Sequence, residues 1–138
     1  MSKVTISANT YSIISDTVSE TLQAIRDKID DWQETYDERE SNEPEYDSQI
    51  DRWQEALDRL EEKIEAALEI TEYYEAWIDD FKSAYCQQTG NASATFEIDD
   101  EGIIKVISEL EDFNFQYRGL APIIKKMKNI PYFIKMEN

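Results

Sequence analysis

Apolar side chains recur along much of the chain in steps of three and four residues, which is the spacing of one face of a helix. Two such runs occur, and they are separated by a polar stretch around Pro44. The second run keeps its alternation for five heptads without a slip. The runs are Val18, Leu22, Ile25, Ile29, Trp32 and Tyr36, and then Ile50, Trp53, Leu57, Leu60, Ile64, Ala67, Thr71, Tyr74, Ile78, Phe81 and Tyr85.

These runs predict two helices that meet along a common apolar seam. Ser15 or Asp16 can cap the first helix, which should reach about residue 40. The second should span about 44–87, with Pro44 in its first turn and Asn42 and Glu45 as a capping pair. At 1.5 Å per residue the helices would measure about 36 and 65 Å. We therefore expect an antiparallel hairpin in which the first helix covers only the first half of the second.

The apolar stripe widens in the second half of the second helix. Leu68, Ile70, Tyr73 and Trp77 lie off the seam and would be exposed on a hairpin alone. A patch of that size is seldom left in water on a monomer. It predicts a docking surface for the C-terminal region, for a second copy of the chain in a homodimer, or for both.

The remaining segments predict short elements. Residues 2–14 suggest a strand or an extended lead-in, and residues 95–98 a strand. The stretch 99–107 can form either a hairpin or a helix, and the spacing of its apolar residues favours the helix. A basic helix is expected at 122–128 and an edge strand at 131–136.

The predicted fold class is mainly α, a long coiled-coil-like antiparallel hairpin with a small α+β C-terminal region. It divides into an extended segment at 1–14, an acidic hairpin at 15–88 and a C-terminal region at 89–138 that packs on the hairpin. Gly90 can cap the second helix. Asn91 begins a glycosylation sequon, which we interpret as chance because no secretory signal precedes it.

The negative charge is concentrated in the hairpin. The formal net charge is −17, and residues 16–80 hold 23 of the 31 acids with only six bases, whereas residues 113–138 hold five bases and one acid. Such acidity argues against direct binding to nucleic acid or to an anionic membrane. Apolar residues at 41% and aromatics at 12% argue against a disordered acidic tail. No apolar run is long enough to span a membrane, and we expect a cytoplasmic protein, in the host cell if a phage encodes it.

Carboxylates recur on both helices at heptad positions b and f, which face away from the seam when Ile50 is position a. Like charges at these spacings oppose folding by about 0.2–0.5 kcal/mol per pair, so six neighbours on the second helix cost about 1–3 kcal/mol. Bases such as Arg59, four residues after Glu55, should offset part of this cost. The rows are Asp51, Glu55, Asp58, Glu62, Glu65, Glu69 and Glu72 on the second helix, and Glu20, Asp27, Asp30, Glu34 and Asp37 on the first.

The residue inventory argues against an enzyme. The chain has no histidine, which removes the commonest general base and the Glu-x-x-His pair of di-metal helical bundles. Its single cysteine, Cys86, has no cationic neighbour in sequence and is best interpreted as a buried or semi-exposed structural thiol. We therefore predict no catalytic residues, no metal site and no cofactor.

Two functions fit this inventory. In the first, the acidic rows occupy the basic groove of a DNA- or RNA-binding protein. This character is similar to that of the nucleic-acid mimics by which phages and mobile elements inhibit such proteins, and an immunity protein or antitoxin for a basic toxin shares the same logic. In the second, the chain is a coiled-coil assembly or adaptor protein that acts through the patch Leu68–Trp77, and the acids form only a solvated face.

Overall fold

A two-helix hairpin forms the larger part of the molecule. The computed structural model describes residues 2–88 and 93–138. Helices α1 and α2 pack antiparallel, strand β1 pairs with β2, α3 packs on α2, and α4 and α5 pack on α1. The predicted fold class is therefore confirmed. The elements are β1 Ser2–Ser7, α1 Ala8–Ser41, α2 Asp47–Cys86, β2 Ser93–Ile98, α3 Asp100–Tyr117, α4 Ala121–Met127 and α5 Asn129–Met136.

Helix α1 begins at Ala8, whereas the predicted cap was Ser15 or Asp16, so the predicted start of this helix was wrong. Ser7 is the actual cap, because its side-chain oxygen accepts a hydrogen bond from the Thr10 backbone N–H at 3.2 Å. The earlier start lets α1 run beside almost the whole of α2. Near the far end of the hairpin the rings of Tyr11 and Tyr85 stack with centroids 3.6 Å apart. The expectation that α1 covers only the first half of α2 was therefore also wrong.

The connection between the long helices also differs from the prediction. Helix α2 begins at Asp47, so Pro44 lies in the connection rather than in its first turn. Asn42 does not cap α2 but ends α1, since its backbone N–H donates to the Arg39 carbonyl and its side-chain amide to that of Glu38. The Trp53 indole N–H donates to the same Arg39 carbonyl at 2.7 Å, which ties the two helices together beside the connection.

The two strands form an antiparallel pair in which Val4 lies opposite Phe96. Alternate residues of both strands are buried, which is the pattern of a sheet with one covered face. The strand predicted at 95–98 is confirmed and extends back to Ser93. The pairing brings the N-terminal segment and the C-terminal region together at the end of the hairpin. Gly90 and the sequon at Asn91 lie outside the described residues.

Helix α3 confirms the helical interpretation of 99–107. Asp99 caps it through a hydrogen bond from the Gly102 backbone N–H to its carboxylate at 2.9 Å. The helix ends where Arg118 and Gly119 adopt positive φ angles of 68° and 103°. The predicted basic helix is α4, with Pro122 in its first turn.

The edge strand predicted at 131–136 was wrong, because this segment belongs to helix α5. Ile130 and Ile134 are four residues apart and both are buried, whereas Tyr132 between them is exposed. That spacing places one helical turn of apolar side chains against the rest of the core. The same letters also alternate as in a strand, and packing against α1 decides between the two.

Candidate acidic interface

The heptad positions show which side of the hairpin is covered. Positions g and c of α2 face the C-terminal region: Ile70 and Trp77 at g pack into the core, and Arg59 at c donates to the Gln116 carbonyl at 3.0 Å. Position e lies on the other side of the seam, where Arg26 of α1 and Glu75 of α2 form an ion pair of 2.7 Å. We call this side, formed by the e and b positions of both helices, the open face.

All eleven carboxylates predicted to bind a partner are exposed, but they do not share one surface. Position b projects onto the open face, and position f projects to the two outer flanks of the hairpin. On the flanks, Asp27 lines a shallow pocket with Pro122, and Glu69 lines another with Lys105. The open face holds Asp30, Asp37, Asp51, Asp58, Glu65 and Glu72, and the flanks hold Asp27, Glu34, Glu55, Glu62 and Glu69.

None of these eleven carboxylates lies within 4.0 Å of a Lys or Arg nitrogen in the part of the chain that the structure describes. Three accept hydrogen bonds from glutamine amides one helical turn earlier, as in Asp58 with Gln54 at 2.9 Å. The expected pair of Glu55 with Arg59 does not form. The Arg59 guanidinium turns instead to the C-terminal region and lies over the Tyr117 ring, 5.5 Å from its centroid.

Lys63 is likewise withdrawn from the acidic rows. Its ammonium lies 4.1 Å from the centroid of the Trp32 ring, a cation–π contact under the C-terminal region. Burial lowers the pKa of Lys63, and the positive charges of Arg59 and Lys28 lower it further. These three cations therefore gather on the covered side of the hairpin, and their charge is directed away from the open face.

Carboxylates from both helices converge at Tyr36. Partial burial raises the pKa of the Tyr36 phenol, a hydrogen bond with Glu40 raises it further, and the negative charges of Glu40, Glu61 and Asp58 add to both. Glu40 comes from α1 and Glu61 from α2, and each occupies an e position. Neither was among the predicted binding residues.

The sequence held only a partial signal for these two carboxylates. Ile70 and Trp77 widen the apolar stripe on the g side of the seam, which indicates a covered g side, but Leu68 widens it at e as well. Packing of the C-terminal region on the g side decides between the two, so Glu40 and Glu61 at e belong with the b row on the open face. The predicted binding residues were limited to b and f, because the spacing of the carboxylates alone does not show which side of the hairpin the C-terminal region covers.

The structure does not bring together the predicted apolar patch. Trp77 is buried, and its indole N–H donates to the Asp99 carbonyl at 2.7 Å where β2 leads into α3. Ile70 is half-buried beside α3, and Tyr73 is exposed at the edge of the same helix. Leu68, at position e, is exposed on the opposite side of the hairpin. The C-terminal region therefore covers the part of the patch on g, and the rest is divided between two surfaces.

The end of the hairpin next to the connection projects beyond the C-terminal region. We call residues 37–58 the tip. Leu57 is its only buried residue. The tip holds nine acids and two bases, Arg39 and Arg52. Tyr46, at the start of α2, is 67% exposed at its apex. The tip is therefore both strongly acidic and exposed on both helices.

The described residues hold little that could carry other chemistry. Across 2–88 and 93–138, no three Cys, Asp or Glu side chains are placed to hold a metal ion. Cys86 is exposed at the end of α2, rather than buried. None of the described helices combines the length and the apolar content that crossing a membrane requires.

Comparison of the chain with protein-family models, with curated proteins and with solved structures gave no match.

Proposed function

We propose that this protein is a non-enzymatic inhibitor whose acidic surface occupies the basic groove of a DNA- or RNA-binding protein. The six carboxylates of the open face, together with the acids of the tip, form the centre of the contact. The carboxylates of the flanks extend it. The observation that supports this proposal is the absence of cation partners for all eleven carboxylates in the described structure, while Arg59 and Lys63 turn to the covered side.

The unpaired carboxylate rows have an energetic cost. Neighbouring carboxylates one turn apart destabilise a helix by about 0.2–0.5 kcal/mol per pair, and a solvated face avoids this by including Lys in the row. A basic partner surface removes the repulsion on binding and adds favourable interactions with each carboxylate. Along α2, alternating b and f positions place about one charge per 5 Å. One strand of duplex DNA carries one charge per about 3.4 Å, so two such helices approach the charge density that a nucleic-acid site accepts.

The proposed partner is cytoplasmic, as for anti-defence proteins of phages and mobile elements. Because charge supplies the recognition, association should weaken steeply with salt and should compete with duplex DNA. The test uses the tagged protein as bait in bacterial lysate, with elution by a salt series and by excess duplex. Purified captured proteins are then assayed for nucleic-acid binding with and without the protein.

Matched charge reversals make this test specific. The variant Asp51→Lys, Asp58→Lys, Glu65→Lys changes three carboxylates of the open face and moves the formal net charge from −17 to −11. The control Asp80→Lys, Glu101→Lys, Asp112→Lys makes the same change at residues on the side of the C-terminal region. We expect the first variant to lose capture and inhibition and the control to retain both, with equal helix content. Equal loss in both variants, or inhibition by the first, would contradict the proposal.

A further inference from the structure

A groove between α3 and α4 combines an exposed aromatic ring with a basic rim. Its volume is about 330 Å³, and Ala121 and Ile124 contribute apolar lining. Phe115 on its edge is 80% exposed, the most exposed large apolar side chain among the described residues. The cationic rim consists of Arg118, Lys125 and Lys128. We call this surface the α3–α4 groove.

Arg118 occupies a backbone conformation that is ordinarily reserved for glycine. Its φ and ψ angles are 68° and 169°, and a non-glycine residue held in this region costs about 1–3 kcal/mol. A glycine at this position would remove the strain and still end α3. The arginine instead places its guanidinium 5.8 Å from the centroid of the Phe115 ring, at the rim of the groove. Strain that a simple substitution would relieve is typical of functional positions.

The charge of the groove identifies the chemistry of its occupant. Within the described structure Arg118 and Lys125 form no ion pair, and Lys128 lies 3.5 Å from Glu111 at a site where both side chains are about half exposed. An acidic segment with one apolar or aromatic side chain would match both the rim and the exposed ring.

The chain itself carries a surface with the required chemistry. The tip, residues 37–58, presents nine acids and the exposed ring of Tyr46. To enter the groove of its own chain the tip would have to bend back, and α1 and α2 are unbroken helices from the tip into the body. We propose that the tip of one copy docks in the α3–α4 groove of a second copy.

This contact joins two different surfaces, so each copy retains a free tip or a free groove and chains of copies can grow. The contact is small and charged, and we expect weak association that salt reverses. At physiological salt the Debye length is about 8 Å, so charges far from the contact repel each other only weakly, and the charge pairs at the contact lose strength at higher salt. The inference goes beyond the proposed function and does not depend on it. The tip takes part in both contacts, so self-association and binding of the proposed partner would exclude each other.

Sedimentation equilibrium of the whole protein tests the inference. From about 20 μM to about 1 mM protein in about 150 mM NaCl, the average mass should rise above 16.2 kDa, and it should return to this value in about 500 mM NaCl. One variant disables the tip by Tyr46→Ala, Asp47→Asn and Asp51→Asn. Another disables the groove by Phe115→Ala, Arg118→Gly and Lys125→Gln. Each alone should associate at least about tenfold more weakly than the unchanged protein.

Mixing the two variants gives the decisive result. The groove variant keeps a working tip and the tip variant keeps a working groove, so an equimolar mixture should form dimers and nothing larger. Arg118→Gly alone should weaken association while the melting temperature stays equal or rises, which separates a binding defect from a folding defect. The control Lys3→Gln, Lys105→Gln removes two cations outside the groove and should associate as the unchanged protein does.

Three results would overturn the inference. The first is a mass of 16.2 kDa at every concentration in about 150 mM NaCl, the second is full association of the groove variant, and the third is a mixture that remains monomeric although the unchanged protein associates. Binding of poly-glutamate to the groove of a protein that stays monomeric would assign the groove to an acidic segment of a different protein. That result also overturns self-association.

Discussion

The Tyr74 phenol oxygen lies 2.8 Å from the Thr21 side-chain oxygen in the middle of the hairpin. Both residues are buried, at 0% and 1% exposure. The Thr21 hydroxyl donates its proton to the Thr17 carbonyl at 2.7 Å, so the Tyr74 hydroxyl is the donor between the two side chains. Burial raises the pKa of Tyr74 above its usual range, which keeps this donor protonated. This polar pair has its partners, and no described buried side-chain nitrogen or oxygen lacks one.

The direction of that bond predicts unequal costs for its two deletions. Tyr74→Phe leaves Thr21 bonded to the Thr17 carbonyl and should lower the free energy of unfolding by about 1 kcal/mol. Thr21→Val leaves the Tyr74 hydroxyl buried without an acceptor and should cost about 2–3 kcal/mol. Urea denaturation of both variants measures the difference. A larger cost for Tyr74→Phe would show that the proton runs the other way.

Gly102 gives a second prediction, in which a normally favourable substitution becomes harmful. Gly→Ala in a helix ordinarily stabilises by about 0.5–1 kcal/mol. Here the added Cβ would lie 2.7 Å from an oxygen of the Asp99 carboxylate, which caps α3, and 3.1 Å from the Trp77 ring. We therefore expect Gly102→Ala to lower the melting temperature.

A double-mutant cycle checks the cause of that loss. Asp99→Ala alone should cost about 1 kcal/mol for the lost cap. Adding Gly102→Ala to it should cost much less than it does in the unchanged protein, since the carboxylate that the Cβ meets is gone. Strictly additive costs for the two substitutions would show that the clash with Asp99 is not the cause.

The long helix α2 could be predicted because its five heptads carry the same signal repeatedly. The start of α1 could not be predicted, since Ser7 and Ser15 are equally suitable N-caps by residue type. The structure uses Ser7, where pairing with β2 ends strand β1 and Thr10 completes the cap. Helix α5 was missed for a related reason. The apolar residues among its eight positions fit both the spacing of a helix and the alternation of a strand, and only packing against α1 distinguishes the two structures.

The candidate site was predicted in composition but not in geometry. The heptad positions correctly placed the carboxylates on the outer surface of the hairpin, away from the seam. They could not show that the C-terminal region covers only the g side, and so they could not separate the open face from the flanks. The contact made by Arg59 could not be predicted from the sequence either. Its long side chain can reach Glu55 as an ion pair or the Gln116 carbonyl as a hydrogen bond, and the structure shows the second.

Glu137 predicts a pH dependence of stability. Its carboxylate accepts hydrogen bonds from the Ser7 backbone and side chain, each 2.6 Å long, and from the Thr10 hydroxyl. The Ser7 and Thr10 side chains are the main causes that lower the pKa of Glu137, against a smaller opposing effect of burial. A lowered folded-state pKa adds stability that is complete above the unfolded value of about 4.3 and is lost as pH falls through the folded-state value.

Melting temperatures of Glu137→Gln against the unchanged protein measure this contribution. The variant should melt lower at about pH 7, and the difference should shrink progressively below about pH 4. Glu62→Gln serves as the control, because no described hydrogen bond reaches that carboxylate. A difference that stays constant down to about pH 2 would show that the Glu137 charge is not what its partners recognise.

The convergence of both helices on Tyr36 can be measured directly, independently of any partner. Burial, the hydrogen bond with Glu40 and the charges of Glu40, Glu61 and Asp58 raise the pKa of this phenol, so removing a charge that comes from α2 should lower it. We expect Glu61→Gln to shift the pKa of Tyr36 toward its ordinary value, and the ring ¹³C resonance of Tyr36 measures this shift.

Glu62→Gln changes a neighbouring carboxylate on the flank and should leave the pKa of Tyr36 unchanged. High salt should reduce the shift caused by Glu61→Gln, because screening weakens exposed charges first. Equal shifts of the pKa of Tyr36 in Glu61→Gln and Glu62→Gln would mean that the two helices do not present their carboxylates to one surface. That result would contradict the description of the open face.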